Sequence, residues 1–396
     1  DRTHLITVEN LKNDLGELHH VQSAMVETGG SQCGYCTPGI VMSLFSLYKN
    51  TDHPARAEVD DALTGNLCRC TGYKPIIEAA GRACVHGTRD HFTILEPQVS
   101  ALLESIPVDS LGLKTTKQEY WRPTTLKEAL ALLTEVPQAI VLCGATDIAL
   151  RVTKKHELLS NVIDLGAIEE LKLIVDEESG LRIGAGATLS ELLQRSQNKL
   201  PAIYDMLSVF GSLQIRNLAT LGGNLGTASP IGDMLPLLMA YNARIVLQSV
   251  GETREVAIDE YFTGYRKTLR RQDELITFVV IPKERNGAVV KSYKVSKRKD
   301  LDISTVSCAF RLELNGQRVV EQIKIAYGGL AERPKRALET EKFMIGKKWE
   351  RSEVEGAMAV VENEFTPISD ARSGAEFRKI AARNLLMKFW SETRKQ

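Results

Sequence analysis

The chain has 396 residues, 50 basic and 50 acidic side chains, 43% hydrophobic and 25% charged content, an ordinary globular composition. Zero net charge argues against binding nucleic acid or an anionic membrane by bulk electrostatics, and no run of about 18 apolar residues marks a transmembrane helix. No signal-peptide pattern opens the chain, so a cytoplasmic, reducing setting is expected, and the length allows about two or three domains.

In chain order, Leu18 to Thr28 has helical apolar spacing at Leu18, Val21, Met25 and Val26. The segment Ser31-Gln-Cys33-Gly-Tyr-Cys36 follows, and Thr37-Pro38 starts a second helix, with proline where a missing N–H is tolerated. Its apolar positions Ile40, Val41, Leu44, Phe45, Leu47 and Tyr48 cover more than one face. Arg56 to Leu63 reads as a third, short helix. After Gly65-Asn-Leu-Cys68-Arg-Cys70-Thr-Gly72-Tyr73, Lys74-Pro75 starts a fourth, through Ile76, Ile77, Ala80 and Cys84. The spacing predicts a small four-helix bundle clamping two cysteine loops, with Cys84 in its core. The seven histidines show no ligand spacing or triad setting, and His19-His20 reads as surface or helix packing.

Four of the seven cysteines fall in those two loops, as Cys-x2-Cys and Cys-x-Cys. Disulfides are rare in a reducing compartment, so four thiols brought together point first to a metal. Structural zinc favours wider knuckles on both sides, and Cys-x-Cys is tight for one. Four thiolates also suit a [2Fe–2S] cluster, to which the amides of Gly34 and Gly72 and the following helix N-termini would donate. On spacing alone, iron–sulfur stands ahead of zinc, with a disulfide pair third.

From His86 to Thr116 periodicity is lost amid Gly87, Asp90, Pro97 and Pro107, and the stretch reads as a linker. A new domain opens at Tyr120-Trp121-Arg-Pro123. Thr125-Leu-Lys-Glu128 is a capping box for a helix from Leu126 to Leu133. Strands are expected at 140–143, 162–165 and 181–183, and strands interleaved with helices argue for an α/β or α+β fold. Gly184-Ala-Gly186 lacks the third glycine of a dinucleotide fingerprint, because Leu189 occupies that place, and Thr188 to Glu191 is itself a capping box. The stretch Ala219-Thr-Leu-Gly222-Gly223-Asn224-Leu-Gly226-Thr-Ala-Ser229-Pro230-Ile-Gly-Asp233 is glycine-rich. It fits either an ordinary turn or a loop whose amides approach a phosphate closely. A helix from Met234 to Tyr241 follows. Beyond Val290, strands at 304–314 and 320–327 meet at an Asn315-Gly316 turn, and helices at 352–365 and 375–393 close the chain. Cys143 and Cys308 lie in strands and read as core.

GSQCGYCTPG followed by TGNLCRCTGY resembles the helical iron–sulfur domain of the molybdenum hydroxylases, the superfamily of xanthine dehydrogenase, aldehyde oxidase and carbon monoxide dehydrogenase. The resemblance implies one [2Fe–2S] cluster held by Cys33, Cys36, Cys68 and Cys70. ATLGGN with ASPxxDxxP resembles the flavin loop of the same superfamily, and Val141-Leu142-Cys143-Gly144-Ala145-Thr146-Asp147-Ile148 its other phosphate-binding loop. It thereby implies FAD, with Val141 to Ile148 on the phosphate side and Phe210, Thr220, Leu221, Gly222, Gly223, Asn224 and Asp233 lining the cofactor. Ile276 and Lys294 fall where the family has flavin contacts. Asp233 would hold a cofactor hydroxyl and Lys294 would stabilise charge near reduced flavin, unless Lys294 is simply a solvated member of the basic run from Lys291 to Lys299. Gln32 is either a contact toward a pterin or a loop amide capping backbone.

The fold so implied is a multidomain α+β protein: a four-helix [2Fe–2S] bundle over 1–86, a linker over 87–117, a two-subdomain FAD-binding domain of the vanillyl-alcohol-oxidase-like type over 118–288, and a C-terminal α+β flavoprotein domain over 289–396. His4 to Asn10 resembles the last residues of a ferredoxin-like cluster domain, which is expected to be missing from this chain. Tyr265-Arg-Lys-Thr268 with Glu274-Leu-Ile276 resembles xanthine dehydrogenases more than carbon monoxide dehydrogenases. The implied role is electron transfer from a molybdopterin site, on a large partner subunit, through the cluster to FAD and on to NAD. A dimer of such heterodimers is expected, with no nucleic acid, no membrane and no residue here for substrate hydroxylation.

Overall fold

The computed structural model describes residues 2–85, 89–284 and 287–395. Asp1 and the boundary expected at 86–87 lie outside them. The chain forms two compact units: one runs up to Asp109 and takes in Gly211–Ile215, and the other holds Ser110–Phe210 and Arg216–Gln396. No helix among the described residues is long and apolar enough to cross a membrane.

The first unit is helical. His20–Glu27, Thr37–Asn50, Arg56–Leu63 and Lys74–Ala83 bury Val21, Ile40, Leu44 and Ile76 completely. Leu18 and Val26, counted with the apolar face of the first helix, are 43% and 70% exposed: the helix begins two residues after Leu18, and Val26 lies off the face that buries Val21, Ala24 and Met25. The expected linker contains a fifth helix, His91–Glu104. Asp90, where the sequence periodicity is lost, serves as its N-cap, accepting the Thr93 amide at 2.6 Å. Pro97 costs this helix one hydrogen bond without ending it. The histidine pair splits: His20 is exposed, whereas His19 is buried and bonds Asp90 through Nε2 at 3.0 Å.

The second unit is built on three larger sheets, beside a two-stranded pair of Phe262–Gly264 and Lys267–Thr268. The first runs, in spatial order, Leu111–Lys114, Glu119–Arg122, Asn161–Asp164 and Ile140–Leu142, with the last two pairings parallel. The second is antiparallel: Ile174–Glu177, Gly180–Gly184, Leu275–Pro282, Arg244–Gln248 and Thr253–Ala257. The third, also antiparallel, comprises Val289–Val295, Val306–Leu314, Val320–Gly328 and Lys335–Arg336. Helix Met234–Ala240, buried at every residue, packs on Val306–Leu314 and Val320–Gly328 and so joins the glycine-rich region to the third sheet. Helices Arg351–Glu364 and Ala375–Thr393 pack on each other, and the latter covers that sheet through Phe389.

Local details depart from simple pattern. Thr125 caps helix Leu126–Glu135, but Glu128 reaches back to the Thr124 amide at 3.1 Å rather than closing a box on Thr125. Thr188 and Glu191 do form the reciprocal box. The turn after Leu314 takes five residues, with the Asn315 side chain accepting the amides of Gln317 and Val319.

Candidate cofactor sites

The thiol site is assembled by two loops that each need left-handed backbone. Gly34 has φ +82° and Gly72 φ +66°, conformations that cost glycine little. Tyr73 adopts φ +67° without that licence, and its hydroxyl accepts the Cys68 amide at 2.9 Å. Strain in a non-glycine residue so tied down is a common mark of a functional loop. Each loop feeds a helix: Cys36 is the N-cap of Thr37–Asn50 and Tyr73 that of Lys74–Ala83.

The four cysteines meet in two pairs, Cys33 with Cys70 and Cys36 with Cys68, each within side-chain hydrogen-bonding reach. In each pair one thiol is favoured as thiolate. The Tyr35 amide, then the Cys70 thiol, lower Cys33, and Cys33 in turn raises Cys70. The Thr71 hydroxyl and then its amide hold Cys68 at about 7, while burial and then Cys68 raise Cys36. No group of three or more His, Cys, Asp or Glu among the described residues is arranged to hold a single metal ion. Four thiols brought together by two loops match the four-cysteine ligation of a [2Fe–2S] cluster. Cys33 and Cys70 are exposed, Cys68 is buried, and Cys84 and Cys308 are buried elsewhere. The residues present therefore fit a [2Fe–2S] cluster.

In the second unit, two segments far apart in sequence converge. Gly144 has φ +74°, and a Cβ there would lie 1.7 Å from the Leu218 carbonyl oxygen. Ala145 follows at φ +58°. Gly223 faces the Cys143 carbonyl across 4.0 Å from its would-be Cβ, and Gly222 lies against Ala185, whose Cβ would be 2.6 Å away. The glycine-rich stretch, read as a loop, contains the helix Leu221–Thr227, capped by Thr220 through the Gly223 amide at 3.1 Å. Asn224 Oδ1 is buried and finds no hydrogen-bond partner among the described residues. An orphaned acceptor beside two close-approach glycine segments is the kind of vacancy in bonding that a polar ligand satisfies. FAD fits this set.

The remaining expected contacts gather around it. Ile276 sits at a register shift in strand Leu275–Pro282 and faces Gly226. Lys294 is not solvated. Its side chain is 5% exposed and its Nζ donates to Asp233 Oδ2 at 2.9 Å and to the Val209 carbonyl at 3.1 Å. Phe210 enters through that neighbour, half-buried against the core. Asp233 Oδ1 also accepts the Ser304 hydroxyl at 2.5 Å. Cys143 packs against the core below the first sheet and burial raises its thiol to about 11. Thr146, Asp147 and Ile148 run on from the Gly144 contact into helix Ala149–Thr153. Sequence reasoning did not find Ala185, Leu218 or Ser304, whose roles come from close packing that no local pattern announces. Thr71 and Tyr73 were within reach, since both lie in the second cysteine segment.

These features define a class: a redox flavoprotein that carries a thiol-held cluster in the same polypeptide. Three family models match in the same order, a [2Fe-2S] binding domain over residues 7–81, an FAD binding domain in molybdopterin dehydrogenase over 114–284 and a CO dehydrogenase flavoprotein C-terminal domain over 291–393. The xanthine dehydrogenase/oxidases of Gallus gallus and Rattus norvegicus are 31% and 32% identical over 97% of this chain, which spans about one third of their length (34% and 32%). A carbon monoxide dehydrogenase structure from Hydrogenophaga pseudoflava aligns with a TM-score of 0.66 at 26% identity, over 70% of this chain and 96% of that one. The chain belongs to the molybdenum hydroxylase family, as its iron–sulfur and FAD portion.

Proposed function

We propose that this chain is the electron-transfer portion of a xanthine dehydrogenase, serving a large molybdopterin-binding partner subunit that converts xanthine or hypoxanthine with water to urate. NAD is the acceptor, and the assembly is a dimer of heterodimers in the cytoplasm. The observation that carries the reading is the two-and-two pairing of Cys33/Cys70 and Cys36/Cys68 in one chain with the converging Gly144 and Gly222 segments. The xanthine dehydrogenase names of relatives aligned over nearly the whole chain support the substrate.

When bound, the cluster supplies one-electron and FAD two-electron chemistry. The protein's own work is to hold and tune them. Cys33, Cys36, Cys68 and Cys70 would supply the thiolates, with the Thr71 hydroxyl and the Tyr35 amide favouring the charged form. Val141 to Ile148 and Thr220 to Asn224 would hold the phosphates. Phe210, Asp233, Ile276 and Lys294 would line the flavin.

Metal, flavin and turnover measurements test this. The purified chain should contain two irons per FAD and show iron–sulfur and flavin absorbance together, and with its molybdenum partner it should reduce NAD at the expense of xanthine. A colourless, zinc-containing protein would refute the redox reading. Turnover of an aldehyde or another heterocycle, but not xanthine, would move it to a sister hydroxylase.

A further inference from the structure

We infer that Ser304 is a positioning residue of the flavin site: its hydroxyl fixes the Asp233 carboxylate, and through it the Lys294 ammonium, and so raises the reduction potential of bound FAD. This rests on the FAD reading above and concerns a residue outside the set that reading names.

Ser304, Asp233 and Lys294 form a closed, buried cluster. Ser304 is 1% exposed, and the Lys294 and Asp233 side chains are 5% and 6% exposed. A serine hydroxyl has one proton, and this one goes to Asp233 Oδ1 at 2.5 Å. An ammonium has three, of which two go to Asp233 Oδ2 and the Val209 carbonyl. One Lys294 donor is thus left over on the side chain that would face the cofactor. The neighbouring backbone is held as well. The carbonyl of Thr305 accepts from Arg378 Nη1 at 2.6 Å, and Arg378 is anchored by Asp370 at 2.8 Å. The backbone next to Ser304 is therefore anchored independently of Asp233.

Charge-assisted bonds of this kind are stronger than neutral ones, and charges out of water feel their neighbours strongly. The Ser304 proton draws on the Asp233 carboxylate from the side opposite Lys294. Without it, Asp233 presents more negative charge and holds the ammonium more closely. Both changes disfavour the electron-rich reduced flavin, so its potential falls.

The test uses the full chain loaded with FAD, as wild type and as Ser304→Ala, Ser304→Cys and Ser304→Thr. Flavin content, thermal midpoint and the two-electron potential against reference dyes are measured on each. In Ser304→Ala the equilibrium constant for flavin reduction should fall about tenfold, close to 30 mV for a two-electron couple. Ser304→Thr, which keeps the hydroxyl, should restore the wild-type value, and Ser304→Cys, a weak donor, should lie between. A wild-type potential in flavin-loaded Ser304→Ala overturns the inference even if the midpoint drops, because the role would then be structural alone. So does a threonine variant that behaves like alanine. Should alanine fail to fold or to retain flavin, a wild-type potential in Ser304→Cys overturns it. A wild-type chain that binds no FAD at all refutes the flavin reading itself, and the inference with it, before any variant is compared.

Discussion

At the scale of single residues, the flavin loops are held by distances that only glycine allows. A side chain at Gly144 would need both a left-handed backbone and the room taken by the Leu218 carbonyl. Gly144→Ala should therefore cost about 2 kcal/mol or more of stability, with loss of FAD from the purified protein. Gly251→Ala meets nothing within 4 Å, and should stay within about 0.5 kcal/mol of wild type with its flavin in place. Equal effects in thermal melts of the two variants would argue that close approach at Gly144 is unimportant. In the thiol site, Tyr73→Phe removes the acceptor of the Cys68 amide. The predicted outcome is a loss of about 1 kcal/mol and faster release of iron to a chelator. Iron release at the wild-type rate would mean that the hydroxyl is dispensable. Gly144 and the four cysteines were legible in the sequence because their chemistry needs those residue types at those spacings. Ser304 was not, because a serine ten residues after Lys294 carries no pattern, and its partner Asp233 comes from another segment.

At the scale of elements, periodicity recovered those whose apolar face is their reason to fold. Arg56–Leu63 and Ala375–Thr393 are read with their observed bounds. His91–Glu104 escaped because its face is poor, with only Phe92 buried. What secures its start is polar: buried Asp90 caps it while accepting from His19 and Lys49. His19 Nδ1 accepts the Val21 amide, so Nε2 carries the proton toward Asp90. Burial would raise the Asp90 carboxyl, but the Thr93 hydroxyl and amide, His19 and Lys49 outweigh it and hold it at about 2. Burial, partly opposed by Asp90, lowers His19. Both shifts act in one direction. Over the range from about 6.5 downward to the lowered His19 value the unfolded chain binds more protons, so stability is lost as the pH falls. Asp90 adds a further loss between about 3.9 and its folded value of about 2. Acidification from pH 7 should thus melt the helical unit earlier than a His19→Gln variant's own smaller pH response would allow. Asp90→Asn should lower its stability at pH 7 by about 2 kcal/mol and flatten the loss below pH 4. Circular dichroism melts across pH check both, and parallel wild-type and Asp90→Asn profiles would dismiss the network as the cause.

At the scale of the whole molecule, each compact unit has a core of its own and one expected cofactor. The helical unit's core is formed by residues such as Leu11, Ile40, Leu44 and Ile76, and every one of the four thiols belongs to that unit. The second unit has its own apolar clusters and all of the converging glycine and flavin-lining positions. A ligand stabilises only what it binds in the folded state, by an amount that grows with its concentration over its dissociation constant. The small bundle gains most in proportion, because its core is modest and its two loops hold left-handed residues that the cluster would tie together. Calorimetry should accordingly resolve two transitions. Stripping iron should lower one of them and leave the other in place, while stripping FAD should do the reverse. At a hundredfold excess of free FAD over its dissociation constant, the flavin-dependent unit should gain about 2.7 kcal/mol. Cys68→Ser should reproduce the iron-stripped trace and Gly144→Ala the flavin-stripped one. A single transition shifted equally by either cofactor would show instead that the two units unfold as one, and that the division of cores does not divide stability.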